Sequence, residues 1–195
     1  MKTSIRHKWL IVAGVIITAA TAVASVALMT RTPELPSPPP AEPAIGKLQW
    51  HDTPQPAAAT PFSDESGVPR TLHDFAGRVL VVNFWATWCG PCIREMPTLD
   101  ALQAALGGEG FAVVAVDQDL GGPKVARPFL DANGWRHLAL YTEPAAHFTH
   151  DAALRGLPTS LIIDRSGREV ARLEGAADWN SPEMVATLRK LMAAK

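Results

Sequence analysis

The two cysteines of this 195-residue chain stand three apart, in Trp88-Cys89-Gly90-Pro91-Cys92. Two sulfurs at that spacing can close and reopen a disulfide with little backbone movement. The residues before them, Val79-Leu-Val-Val-Asn-Phe-Trp, form an apolar, β-branched run that predicts a buried strand. The residues after them predict a helix over Pro91–Leu106, because Ile93, Met96, Leu99, Leu102 and Leu106 recur at helical spacing and Gly107-Gly108 ends the run. Pro97 lies inside it and is expected to kink it. Cys89 therefore falls at a strand-to-helix junction, where unpaired backbone N–H groups and the positive end of the helix dipole stabilise a thiolate. On this reading Cys89 is the nucleophile and Cys92, one turn further in, the resolving thiol. Pro91 suits the first helical turn, where its missing N–H costs nothing, and Gly90 is expected to let the chain turn tightly while leaving room for an incoming disulfide. Two other readings of the pair are a structural bridge and half of a metal site. A bridge across so short a loop adds little stability, and a structural zinc asks for four protein ligands, with no second CxxC in the sequence to supply them.

Other residue types could join this chemistry. Glu95 lies three residues after Cys92, so the two side chains share a helix face; a carboxylate partly buried there would have a raised pKa and could relay a proton to Cys92, directly or through water. The competing reading is a solvated glutamate on an exposed face. Trp85 and Trp88 bracket the site, Trp85 reading as core and Trp88 as part of an apolar docking surface. His147 and His150 could approach a metal beside the cysteines, but a helical histidine pair is more simply a surface feature. Asp117-Gln-Asp119 reads as the end of a strand, with no phosphate or metal motif around it. No metal ligand and no cofactor beyond the Cys89–Cys92 disulfide is assigned.

Further elements must hold this junction in place. Phe111–Val116 predicts a second buried strand, Val125–Asn133 a helix closed by Gly134, and Leu138–Tyr141 a short strand. A short helical stretch over Ala145–Leu154 follows. Leu161-Ile-Ile then meets Val170-Ala-Arg-Leu across Asp164-Arg-Ser-Gly as a hairpin, and Ser181-Pro182 opens a final amphipathic helix through Val185, Leu188 and Leu191. The order βαβ, then hairpin and helix, makes an α/β domain: a mixed central sheet with helices on both faces.

The N-terminus is different in kind. Lys2, Arg6 and Lys8 precede an uncharged run, Trp9–Met29, whose 21 residues span roughly 30 Å as a helix, the thickness of a bilayer's hydrocarbon core. We read residues 1–30 as an uncleaved signal-anchor, preferred to a cleaved signal peptide processed near Ala22-Val23-Ala24. Residues 31–46, with prolines at 33, 36, 38, 39, 40 and 43, read as an extended spacer, and 47–195 as one domain. The basic flank stays cytoplasmic, so the domain faces the other side of the membrane. From Ala44 onward 14 Lys and Arg stand against 17 Asp and Glu, which leaves no basic footprint for nucleic acid. Two cysteines exclude a disulfide-dense scaffold, and a 47% hydrophobic, 19% charged composition excludes a disordered chain.

The segment VVNFWATWCGPCIREMPTLDALQ resembles the active-site segment of the thioredoxin superfamily, in particular its membrane-anchored TlpA/ResA-like branch. Similarity extends through VVAVDQDLGGPKVARPFLDANG, GLPTSLIIDRSGREVARLEG and AADW, and beyond the CxxC it is greatest to the TlpA-like members. The resemblance implies a thioredoxin-like fold with Pro158 as a cis-proline facing the cysteines and the backbone of Leu157 free to pair with a substrate segment. It implies Glu95 as a functional acid. Asn83 stands where ordinary thioredoxins bury an aspartate, so proton handling falls to Glu95 or solvent. It further implies a periplasmic thiol:disulfide oxidoreductase anchored in a bacterial inner membrane, reducing disulfides in a copper chaperone, an oxidase subunit or apocytochrome c, and recharged by a transmembrane thiol donor. A disulfide oxidase of the same fold and a Cu(I) metallochaperone are the alternative functions.

Overall fold

The computed structural model describes residues 48–143 and 145–194. The expected anchor (1–30) and the whole of the expected spacer (31–46) lie outside them, and among the described residues no helix is long and apolar enough to cross a membrane. One eight-stranded sheet organises the domain; its strands, β1 (Gln49–Pro56), β2 (Phe62–Asp64), β3 (Pro69–Arg70), β4 (Val79–Trp85), β5 (Phe111–Asp117), β6 (Leu140–Thr142), β7 (Thr159–Ile163) and β8 (Arg168–Glu174), lie in the order β1-β8-β7-β4-β5-β6-β2-β3. Its centre is β4 (Val79–Trp85) and β5 (Phe111–Asp117), two parallel strands buried along their whole length. Alternation sends Val79, Val81 and Trp85 with Phe111, Val113 and Ala115 to one core, and Leu80, Val82 and Phe84 with Ala112, Val114 and Val116 to the other. Continuous apolar runs were the right signal for strands covered on both faces.

The two faces are covered unequally. The long helices α1 (Gly90–Leu106), α2 (Pro123–Asn133) and α4 (Pro182–Ala193) all pack into the first core. The second face is closed by a 3-10 turn at Leu72–Phe75, the five-residue α3 (His147–Asp151) and a cluster of Phe62, Phe75, Tyr141 and Phe148 rings. Helix α1 continues through Pro97 to Leu106, with the ring on its exposed side.

Strand β7 (Thr159–Ile163) runs antiparallel to β4 and pairs with β8 (Arg168–Glu174) as the expected hairpin. At its turn Asp164 accepts the amides of Ser166 and Arg168, and Gly167 adopts a φ of 77° that favours glycine. Strand β6 (Leu140–Thr142) starts two residues later than expected, because the amides of His137 and Leu138 are held by the Asp100 carboxylate of α1. Helix α3 is shorter than expected, bracketed by Ala146 and Ala153 in the left-handed region. Three strands were not expected at all: β1 (Gln49–Pro56), an exposed edge strand on β8, and the short hairpin β2 (Phe62–Asp64) and β3 (Pro69–Arg70) at the opposite edge.

Candidate active site: the Cys89–Cys92 pair and the acid behind it

Strand β4 ends at Trp85 and α1 begins at Gly90, so the loop between them delivers Cys89 to the helix N-terminus. The Cys89 N–H donates to Ala86 O at 3.1 Å and closes the turn. Cys89 is the N-cap residue of α1: its backbone is extended and its Sγ accepts the Cys92 N–H at 3.3 Å. That is the place where a thiolate gains from unpaired amides and the helix dipole. Here the sulfurs are joined, S–S 2.02 Å with the Cα atoms 5.2 Å apart. Cys92 is completely buried, and Cys89 keeps 5% exposure, so attack from outside reaches Cys89 first.

Pro91 occupies the first turn of α1, as expected, and is exposed. The expectation for Gly90 needs correction. Its φ lies outside the left-handed region, and an added Cβ would meet nothing within 4 Å, so the turn does not require glycine. What its lack of a side chain leaves is an open surface next to the disulfide. Trp88 is 69% exposed beside the cysteines, whereas Trp85 is wholly in the core.

The Leu157–Pro158 bond is cis. Because Thr159 pairs with Phe84, Pro158 sits at the end of the sheet where β4 runs into the Cys89 loop. A cleft of about 190 Å³ opens there, lined by Leu157, Pro158, Arg155 and Glu174 among others. The Leu157 backbone makes no hydrogen bond to another main-chain group among the described residues.

Glu95 is fully buried, which excludes the solvated-surface reading. Asn83 Nδ2 donates to its Oε1 at 2.8 Å; the Ala177 amide and Trp179 Nε1 donate to its Oε2 at 3.0 and 2.9 Å. Burial pushes the Glu95 pKa up to about 7, against the pull of Trp179, Asn83 and Ala177 toward the ionised form. Thr98 ties the same region together: its hydroxyl donates to Glu95 O and accepts the Trp179 amide. Asn83 also donates to Ser160 Oγ at 2.9 Å and leaves its own Oδ1 buried without a partner.

Sequence reasoning singled out Asn83 but not the residues that complete this pocket. Trp179 was visible as a large indole outside any periodic apolar run; Ser160 and Thr98 carried no signal. His147 and His150 are exposed on α3, His150 beside Asp151 at 3.3 Å, and no metal-holding group of three ligands occurs among the described residues. Asp117 does end β5, but Asp119 does more than follow it: its carboxylate accepts both the amide and the hydroxyl of Thr87, at 2.8 and 3.0 Å.

The Redoxin family model matches residues 52–189, most of the chain and all of the site. The chain belongs to the Redoxin family. It is 32% identical over 112 residues to the thiol-disulfide oxidoreductase ResA of Geobacillus thermodenitrificans (strain NG80-2), covering 55% of this chain and 60% of that protein. It is 32% identical over 119 residues to the thiol:disulfide interchange protein HelX of Rhodobacter capsulatus, covering 60% of each. The matches thus span about three-fifths of those relatives. Among solved structures, a putative thiol:disulfide interchange protein DsbE from Chlorobium tepidum superposes with a TM-score of 0.60 at 29% identity, covering 72% of this chain and 95% of that one. These likenesses place this Redoxin member in the TlpA/ResA-like part of the thioredoxin superfamily, with the thioredoxin-like fold that the sequence led us to expect.

Proposed function

We propose that this chain is a thiol:disulfide oxidoreductase, anchored in a bacterial inner membrane with its domain on the periplasmic side, that reduces disulfides in client proteins. The observation that carries this reading is the placement of Cys89 as the cap of α1, its sulfur accepting the Cys92 amide, with Cys92 buried one turn behind. In the reduced form the Cys89 thiolate attacks a client cystine; an S–S bond forms between them and a client thiolate leaves. Cys92 then gives its proton to the Glu95 carboxylate and its thiolate attacks Cys89 Sγ. The second client sulfur departs as thiolate, two electrons have passed to the client, and the Cys89–Cys92 disulfide remains. A carboxyl with a pKa near 7 suits that exchange, since it can take up a proton and release it at working pH. In this disulfide form Glu95 makes no hydrogen bond to either sulfur, so the proton passes through water or after the sulfurs part.

Exposed Trp88 beside Cys89, Gly90 and Pro91, together with the free Leu157 backbone at the cis Pro158 cleft, supports an extended protein segment as substrate. The names of the ResA and HelX relatives support the reaction class. The run Trp9–Met29 supports the anchor, and the TlpA-like sequence supports clients in copper-site or cytochrome c biogenesis, with a transmembrane thiol protein restoring the dithiol.

A Cys92→Ser variant expressed in the native compartment tests the reading, because without a resolving thiol the client stays bound to Cys89. Covalent complexes that dissolve on reduction are expected; none would overturn it. Redox titration fixes the direction: a potential near about −270 mV marks a reductase and one near about −120 mV an oxidase.

A further inference from the structure

Among the described residues five large apolar side chains are strongly exposed: Trp50, Val68, Trp88, Leu120 and Val125. Single exposed apolar residues are ordinary, but a group of them is informative. Trp50 and Val68 lie apart, on β1 and between β2 and β3. The other three meet at the end of the sheet that carries the cysteines. Strands β4 and β5 end in register at Trp85 and Asp117, and the Gln118 amide donates to Trp85 O at 2.9 Å. Just beyond, Asp119 accepts the Thr87 amide and hydroxyl at 2.8 and 3.0 Å. The residues that follow this clasp are Trp88, 69% exposed, and Leu120, 90% exposed. Val125 joins them from the first turn of α2: its methyl lies so close to the Gly121 backbone that a side chain there would collide with it. The patch runs from the residue before Cys89 across the β5–α2 loop. It lies on the side of Cys89 away from the cis Pro158 cleft, because β7 and β5 flank β4 on opposite sides.

The reaction says what covers this patch. A mixed disulfide brings the client cysteine's Cα to within about 7 Å of the Cys89 Cα, and the residues beside it follow at about 3.8 Å each. A client segment lying across Cys89 therefore has one flank on Trp88 and Leu120. Its other flank meets bare backbone at Gly156, Leu157 and Gly175, with Arg155 and Glu174 facing one another at 3.6 Å. We propose that Trp88, Leu120 and Val125 form an apolar lip that takes up bulky apolar side chains next to the reactive cysteine of a client protein. Asp119 is a positioning residue, clasping the two loops so that the lip stands beside Cys89. The inference deepens the oxidoreductase reading and rests on Cys89 being its nucleophile. Recognition then divides between the flanks: main-chain pairing at Leu157 accepts any extended sequence, and the lip selects by side chain.

The test uses the reduced full-length protein and two synthetic peptides, each with a single cysteine held in a mixed disulfide with thionitrobenzoate. In one peptide leucines flank the cysteine, in the other serines. Attack by the Cys89 thiolate joins its sulfur to the peptide sulfur and releases the coloured thionitrobenzoate thiolate. Each rate is divided by that peptide's rate with dithiothreitol, so that intrinsic reactivity cancels. The leucine peptide is expected to react at least roughly tenfold faster below saturation, with the difference in KM. Leu120→Ser is expected to cut this ratio at least roughly threefold, and Leu120→Met to keep it within about twofold. Asp119→Ala, with Leu120 in place but its loop unclasped, is expected to lower the ratio as Leu120→Ser does. A wild-type ratio near one, as follows if a second copy of the chain or a lipid surface covers the patch instead, overturns the inference. So does an unchanged ratio in Leu120→Ser or Asp119→Ala. If Asp119→Ala does not fold, the two Leu120 variants still decide. A wild type that releases thiolate from neither peptide would instead strike the oxidoreductase reading.

Discussion

Glu95 and Asp117 are both fully buried acids on the helix-covered side of the sheet, and the chain has treated them in opposite ways. Glu95 sits in a pocket of three donors drawn from β4, the segment after β8 and an indole ring. Neither carboxyl oxygen of Asp117 has a hydrogen-bond partner among the described residues, and burial first, then the Asp119 carboxyl, pushes its pKa up to about 8. Donors pull a buried acid's pKa down toward the working range, while an acidic neighbour pushes it further up. Hence the first can exchange protons near neutral pH and the second holds one until the solution turns alkaline. Only the first lies on the same helix face as a cysteine, one turn behind it.

The comparison breaks most visibly if Glu95 is removed outright. Glu95→Ala leaves one N–H of the Asn83 amide, the Ala177 N–H and the Trp179 indole N–H buried without an acceptor, and is expected to lower unfolding stability by about 3–5 kcal/mol in urea titration. Next comes the pH dependence. Glu95 binds its proton more tightly folded (about 7) than unfolded (4.5), so the wild type loses stability as pH rises through that window. Glu95→Gln lacks this loss, and its stability relative to wild type should climb by about 3 kcal/mol between about pH 4.5 and pH 8. Asp117 obeys the same sign over a wider window, from 3.8 to about 8. Asp117→Asn should therefore be more stable than wild type by about 2 kcal/mol at about pH 9, the effect trimmed by solvent relaxation near the sheet's end. Smallest is Trp179→Phe, which keeps the packing and removes one donor from Glu95: a loss of about 1–2 kcal/mol, with the Glu95 titration seen by NMR moving upward.

Much of the frame was legible. β4, β5, α1 and the β7–β8 hairpin are where apolar runs, helical spacing and Asp164-Arg-Ser-Gly put them, because strands buried on both faces and a capped helix leave strong local signals. The same Asp-x-Ser-Gly sign at Asp64–Gly67 went unread, although Asp64 accepts the Ser66 and Val68 amides just as Asp164 does at the other turn. Its strands are two and three residues long, too short for alternation to show. β1 was hidden for a different reason: it is mostly exposed, carries prolines, and is held by pairing with β8 alone. At the site, the cysteines, Glu95 and the cis Pro158 were legible from motif and resemblance. The donors to Glu95 were not, since Trp179 lies 84 positions from it in the chain and meets it only once the sheet is built.

The central claim is that Cys89 is an accessible, acidified thiol while Cys92 is sheltered behind it. Alkylation of the fully reduced full-length protein, followed residue by residue by mass spectrometry as a function of pH, tests this most directly. We predict that Cys89 reacts with an apparent pKa of about 7 or below and at least roughly tenfold faster than Cys92. Equal labelling of both sulfurs, with apparent pKa values near about 8.5, would contradict the account.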